Sequence, residues 1–166
     1  MQKSLKEIIK QIAALERYKD EVLSDEAQTS ISRHDSSEDV PVSEYDFFAT
    51  RKMIEDLDNK IRYLRHKLHL SNATEQVPEF NITIGECIIM MAQLSKEQAL
   101  LSRMARREKK ERRQLGYSNS TELVILNYDK DECRRYLKEV NNKITSLQIA
   151  IDRINLSHMI DVEIFE

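Results

Sequence analysis

The sequence predicts a mostly α protein: an antiparallel four-helix bundle built from two duplicated αα-hairpins, with short β segments at its poles. Three observations lead there. Two Gly and two Pro among 166 residues, with 33% charged residues, suit long helix interiors with solvated faces. Apolar residues recur at spacings of three and four along four long stretches. The chain also repeats itself at a spacing of 83 residues, which pairs Tyr45-Asp46 with Tyr128-Asp129, Asn59-Lys60 with Asn142-Lys143, and Asn72 with Asn155.

The first helix opens at a capping box, Ser4 with Glu7, and carries Leu5, Ile8, Ile12, Leu15 and Val22 on one stripe. It is expected to end before residue 24. The stretch 24–43 is Ser-rich, polar and acidic, buries too little apolar surface to fix itself, and is expected to be a flexible loop. Val40-Pro41-Val42 within it is a candidate edge strand. The second helix begins near Asp46, with Ile54, Leu57, Ile61, Leu64 and Leu68 as a heptad-like seam. The third opens at a second box, Thr83 with Glu86, and is expected to run to Gly116, an αL terminator. TELVILNY (121–128) is β-branched and aliphatic and predicts a short strand. The fourth helix starts at Asp129, with Glu132 three residues on and a seam of Cys133, Leu137, Val140, Ile144, Leu147, Ile151 and Ile154. The tail alternates Ile160, Val162 and Ile164 as a strand. Segments 72–77 and 159–165 are expected to pair at one pole, and 38–42 with 121–127 at the other. The whole is expected to be one domain, 1–166, with pseudo-repeats 1–83 and 84–166.

A net charge of −3 gives the chain as a whole no attraction for nucleic acid. Neither a signal peptide nor an apolar run of membrane-spanning length is evident, so a cytoplasmic location is expected. Cys87 and Cys133 are too few for a disulfide framework. The Asn-x-Ser/Thr triplets at Asn72, Asn81, Asn119 and Asn155 are read as turn and cap chemistry. No phosphate-binding loop, dinucleotide fingerprint or nucleophile elbow occurs, so no cofactor and no catalytic residue is assigned.

Four features stand out as candidate sites. Residues 102–114, SRMARREKKERRQ, are strongly basic; on a helix, Arg103, Arg107 and Lys110 share one face, and Arg106, Lys110 and Arg113 a neighbouring one. That pattern fits a solvated helix end neutralised by the acidic residues of 24–43, a grip on nucleic acid or another polyanion, or contact with a membrane surface. Ile88, Ile89, Met90, Met91 and Leu94 ring their helix on every side, which implies cover by another subunit and hence a homo-oligomer interface. His66, His69 and His158 form a weak candidate metal set. Asn72 and Asn155 are expected to end their helices in the αL conformation.

Residues of about 60–165 resemble a family of small bacterial helical proteins labelled septicolysin. ITIGECIIMM resembles the family's Thr-led entry into its third helix. YSNSTELVILNYD resembles its Tyr-Ser strand segment, and LQIAIDRIN its closing aspartate-to-asparagine stretch before a β tail. The family's Trp after the last Asn is Leu156 here, and its Arg-Asp pair in the third helix is Gln93-Leu94. The resemblance implies the helical fold, and it carries over no site residues.

Three functional readings follow. The leading one is a non-enzymatic helical protein that acts by self-association or protein–protein contact. The second is a nucleic-acid or polyanion-binding accessory protein using 103–113. The third, implied by the family label alone, is a membrane-active lysin, without stable membrane insertion.

Overall fold

The computed structural model describes residues 1–35, 44–114 and 121–163. Four helices dominate: α1 (Leu5–Thr29), α2 (Phe47–Thr74), α3 (Ile84–Arg106) and α4 (Lys130–Ser157). Among the described residues six short strands accompany them: β1 (Gln2–Ser4), β2 (Gln76–Val77), β3 (Ile82–Thr83), β4 (Lys110–Gln114), β5 (Thr121–Ile125) and β6 (Met159–Asp161). The mostly α class, the four helices and the short antiparallel strands are as the sequence predicts.

Each helix begins where a side chain satisfies its free N–H groups. Ser4 Oγ accepts the Glu7 N–H at 3.3 Å, and the Glu7 carboxylate accepts the Ser4 N–H at 2.7 Å. Thr83 and Glu86 repeat this box at 3.2 Å and 2.8 Å. Asp46 Oδ1 accepts the Ala49 N–H at 3.0 Å at the head of α2. Asp129 Oδ1 accepts the Asp131 and Glu132 N–H groups at 2.7 Å and 3.1 Å at the head of α4.

The chain divides into two compact units, one of Met1–Thr74 with Ile154–Glu166, the other of Glu75–Arg153. These are not the halves 1–83 and 84–166, because each unit takes a strand from beyond its own helical hairpin. In the first unit β6 pairs antiparallel with β1, and Ile8, Ile12, Ile61, Leu64 and Val162 form a core. In the second, β2 pairs with β3 and β4 with β5, and Leu101, Cys133 and Val140 form a core backed by Leu94, Leu137 and Ile144.

The strand pairings correct the expected ones. Segment 76–77 pairs with β3, not with the tail, and the tail pairs with β1. Segment 121–125 pairs with β4, while 38–42, with Val40-Pro41-Val42, lies outside the described residues. Helix α1 continues to Thr29 instead of stopping before 24, because Glu26 in its last turns is held by Tyr45 and Arg51. Helix α3 stops at Arg106, well short of Gly116, which lies outside the described residues. Its cap, Arg107, has extended backbone (φ −63°, ψ 145°), which leads the chain out of the helix towards β4. Asn72 and Asn155 lie within α2 and α4 and end neither. The one described non-glycine residue with positive φ is Asn81 (53°), in the β2–β3 turn, where Asn tolerates the left-handed conformation.

The duplication extends through the internal geometry of both units. Ser4 pairs with Met159 as Thr83 pairs with Gln76, and Lys3 pairs with Ile160 as Ile82 pairs with Val77. The first N–H of α1, on Leu5, donates to His158 O at 3.3 Å; the first of α3, on Ile84, donates to Glu75 O at 2.9 Å. Second helices of the hairpins correspond at the expected spacing of 83, but first helices correspond at 79, from Ser4 to Thr83. At those spacings Leu5 matches Ile84, Ile8 matches Cys87, Leu57 matches Val140 and Leu64 matches Leu147, all buried.

Candidate functional site

The two spacings also align contacts between the helices of each hairpin. Lys19 Nζ donates to Asp58 Oδ1 at 2.6 Å, and at the matching positions Gln98 Nε2 donates to Asn141 Oδ1 at 2.7 Å. Tyr18 meets Met53 Sδ at 3.8 Å, and the matching Tyr136 hydroxyl hydrogen-bonds Glu97. That bond and the carboxylate's charge push the Tyr136 phenol above its ordinary range. The recurrent tyrosines before the caps do the same work twice. Tyr45 Oη donates to Glu26 Oε1 at 2.6 Å and Tyr128 Oη donates to Met104 O at 2.8 Å, each tying a second helix to the last turns of the first.

Against this shared frame, one stretch differs in chemistry. Residues 8–15 of α1 (IIKQIAAL) correspond to 87–94 of α3 (CIIMMAQL). Ile9 and Ile88 match, and both are exposed. Met91, in the place of the core residue Ile12, is half-buried, and Leu94 packs against the second unit's core as Leu15 does in the first. At the outward positions, however, Lys10 becomes Ile89, which is 60% exposed, and Gln11 becomes Met90, which is half-buried. The apolar ring inferred from the sequence therefore separates into Leu94, which packs against the core, half-buried Met90 and Met91, and exposed Ile88 and Ile89.

The basic segment is not one helical face. Arg103 and Arg106 sit in the last turn of α3, Arg107 caps it, and Lys110, Arg112 and Arg113 lie on β4. Residues directly opposite across an antiparallel pair share a face. The register thus places Lys110 with Ile125 and Arg112 with Leu123 on one face, and Glu111 with Val124 on the other, the face to which Arg113 and Glu122 also belong by register. Lys109 is on the Glu111 face, close enough to Asp129 to help lower its carboxyl, after the backbone N–H groups of Glu132 and Asp131. Val124 and Leu126 on that face are half-buried, whereas Leu123 and Ile125 on the opposite face are 45% and 56% exposed.

The chain is similar to a protein of Corynebacterium diphtheriae. That crystal structure, of a functionally unknown conserved protein, matches with a TM-score of 0.70 over 97% of this chain and 100% of the other, at 17% identity. At this identity the likeness establishes the fold alone. No protein-family model and no curated protein matches the chain.

The remaining candidates are dispersed. His66 and His69 are exposed on α2, and His158 lends its carbonyl to Leu5. Among the described residues no group of three or more His, Cys, Asp or Glu is arranged to hold a metal ion. Cys87 and Cys133 are free and buried; burial pushes the Cys87 thiol above its ordinary range, and Cys133 Sγ lies 3.7 Å from Leu101 O. No described helix is long and apolar enough to cross a membrane. The β4 face was not legible from sequence, because its pattern appears only when β4 is paired with β5. The signal that was available is the β-branched and aliphatic content of TELVI.

Proposed function

We propose that the chain acts by association, with a second copy of itself in the first instance, and not by catalysis. The observation that carries this reading is the exposed Ile89 on α3, flanked by Ile88 and Met90. A duplicated frame supplies its own control: the matching positions of α1 hold Lys10 and Gln11, so packing within a unit does not require apolar residues there. Exposed aliphatic side chains that their own unit does not need are characteristic of a covered surface. Two polar side chains at the head of α4 have structural uses, with Asp129 capping the helix and Tyr128 tying it to α3.

The double variant Ile89→Lys/Met90→Gln installs the residues of α1. Light scattering after size exclusion at tens of micromolar is expected to give a mass above 19.6 kDa for the wild type. The variant should be a monomer of unchanged helical content. A monomeric wild type overturns the self-association. Met91→Glu is the poorer test, since Met91 takes the place of the buried Ile12 and the substitution would harm the unit itself.

A second reading is favoured by the segregation on the β4–β5 hairpin: Lys110 and Arg112 stand on the face opposite Glu111 and Glu122. This suits a polyanionic partner, with binding that weakens as salt rises.

A further inference from the structure

We infer that the Lys110–Arg112–Leu123–Ile125 face of the β4–β5 hairpin docks on an anionic lipid surface. This rests on the polyanion reading and commits it to one partner. The pairing register puts two cations beside two aliphatic side chains on one face and both described carboxylates of the hairpin, Glu111 and Glu122, on the other. The cations continue into Arg103, Arg106 and Arg107, all exposed at the end of α3.

The aliphatic residues decide between partners. The hairpin has half-buried apolar residues, Val124 and Leu126, on its other face, whereas Leu123 and Ile125 leave about half of their surface exposed. Nucleic acid takes Leu or Ile only against thymine methyls or as wedges between unstacked base steps. Single strands are held by aromatic stacking, and base edges are read by Arg, Asn and Gln pairs. A bilayer of acidic lipid satisfies both halves of the face. Its headgroup phosphates pair with Lys110 and Arg112, while Leu123 and Ile125 leave water at the acyl boundary. Since no described helix is long and apolar enough to span, the docking is peripheral.

The chain contains no Trp, so Leu123→Trp in the full-length protein is a clean reporter. Mixed with vesicles of phosphatidylcholine and phosphatidylglycerol in equal parts, its emission should shift to the blue and be quenched by lipids brominated on their acyl chains. Pure phosphatidylcholine should give no shift. In co-sedimentation of the otherwise unaltered chain, Lys110→Gln/Arg112→Gln should weaken binding about thirtyfold, at about 1 kcal/mol per cation. Leu123→Ser/Ile125→Ser should weaken it at least tenfold. All four positions are exposed, and circular dichroism should show unchanged helix. Binding to single- or double-stranded DNA that equals vesicle binding and survives Leu123→Ser/Ile125→Ser overturns the lipid assignment and leaves the polyanion reading standing. Vesicle binding unaffected by either pair of substitutions overturns the assignment to this face. Absence of binding to vesicles and DNA alike overturns both.

Discussion

Glu7 and Glu86 each accept the backbone N–H of the residue that caps their helix, and that bond holds both carboxyls below their ordinary range. Asp129 is lowered in the same way by the Glu132 and Asp131 N–H groups. A carboxyl lowered in the folded state takes up protons more readily in the unfolded state. Its contribution is therefore complete above the unfolded value and is lost as pH falls towards the folded one. Thermal melts between pH 7 and pH 3 should show stability falling once pH drops below about 4.5. Glu7→Gln/Glu86→Gln should flatten that fall, and a slope equal to the wild type's would show that the boxes carry none of it. Ser4→Ala and Thr83→Ala should each cost about 1 kcal/mol at neutral pH, since each removes a cap acceptor. The two losses should add, because the boxes lie in different units and share no partner. These boxes were readable from sequence because capping is local: four consecutive residues contain the whole interaction. Asn72 and Asn155 were misread for a related reason. Asn is compatible with a C-cap, but nothing adjacent required one, and both helices continue past them.

Within each hairpin the helices meet through a seam of apolar residues and through polar pairs, one of which lies at matching positions in both units. In one unit that pair is charged, Lys19 with Asp58; in the other it is neutral, Gln98 with Asn141. A partly exposed ion pair contributes about 0–1 kcal/mol. The neutral pair should therefore substitute for it. Lys19→Gln/Asp58→Asn is expected to stay within about 1 kcal/mol of wild type in urea unfolding and to reduce the dependence of stability on salt. A larger loss would mean that the charges set the alignment of α1 on α2. Seams of this kind were legible because a helix repeats its buried face every three or four residues. The strands were less so. Strand β1 is QKS, with no β-branched residue, and its partner β6 comes at the far end of the described chain. Strand β4 is KERRQ, whose Lys, Glu and Arg favour helix in isolation, and only pairing with TELVI makes it a strand. The candidate surfaces follow the same division. Ile88 to Leu94 could be picked out from composition, but separating Ile89 from Met91 required the offset of 79 residues, which the 83-residue match in the second helices obscured.

At the scale of the molecule, the two strand junctions are the same structure with and without a covalent turn. Strands β2 and β3 are joined by Pro78 to Asn81, where the Phe80 and Asn81 N–H groups donate to Val77 O at 3.1 Å and 2.9 Å. Strands β6 and β1 share that register without a connecting turn. They are held instead by the Met1 amine donating to Val162 O at 3.0 Å and the Val162 N–H donating to Met1 O at 2.9 Å. If both junctions are equivalent in energy as well as in register, moving the break from one to the other should leave the fold intact. A permuted chain opened between Glu79 and Phe80, with its original ends joined by a short Gly-Ser linker, is therefore expected to keep the helical content of the parent. The flexible linker replaces a tight turn and should cost about 1 kcal/mol in loop closure, or about 2–4 °C in melting temperature. A chain opened inside α1 at Ala14 breaks the helix that carries Ile8 and Ile12 of the first core and should fail to fold. Should the 79/80 permutant lose the amide protection of α1 and α2 while keeping that of α3 and α4, the β6–β1 junction would be doing something its counterpart does not, and the equivalence of the two repeats would end at their backbone.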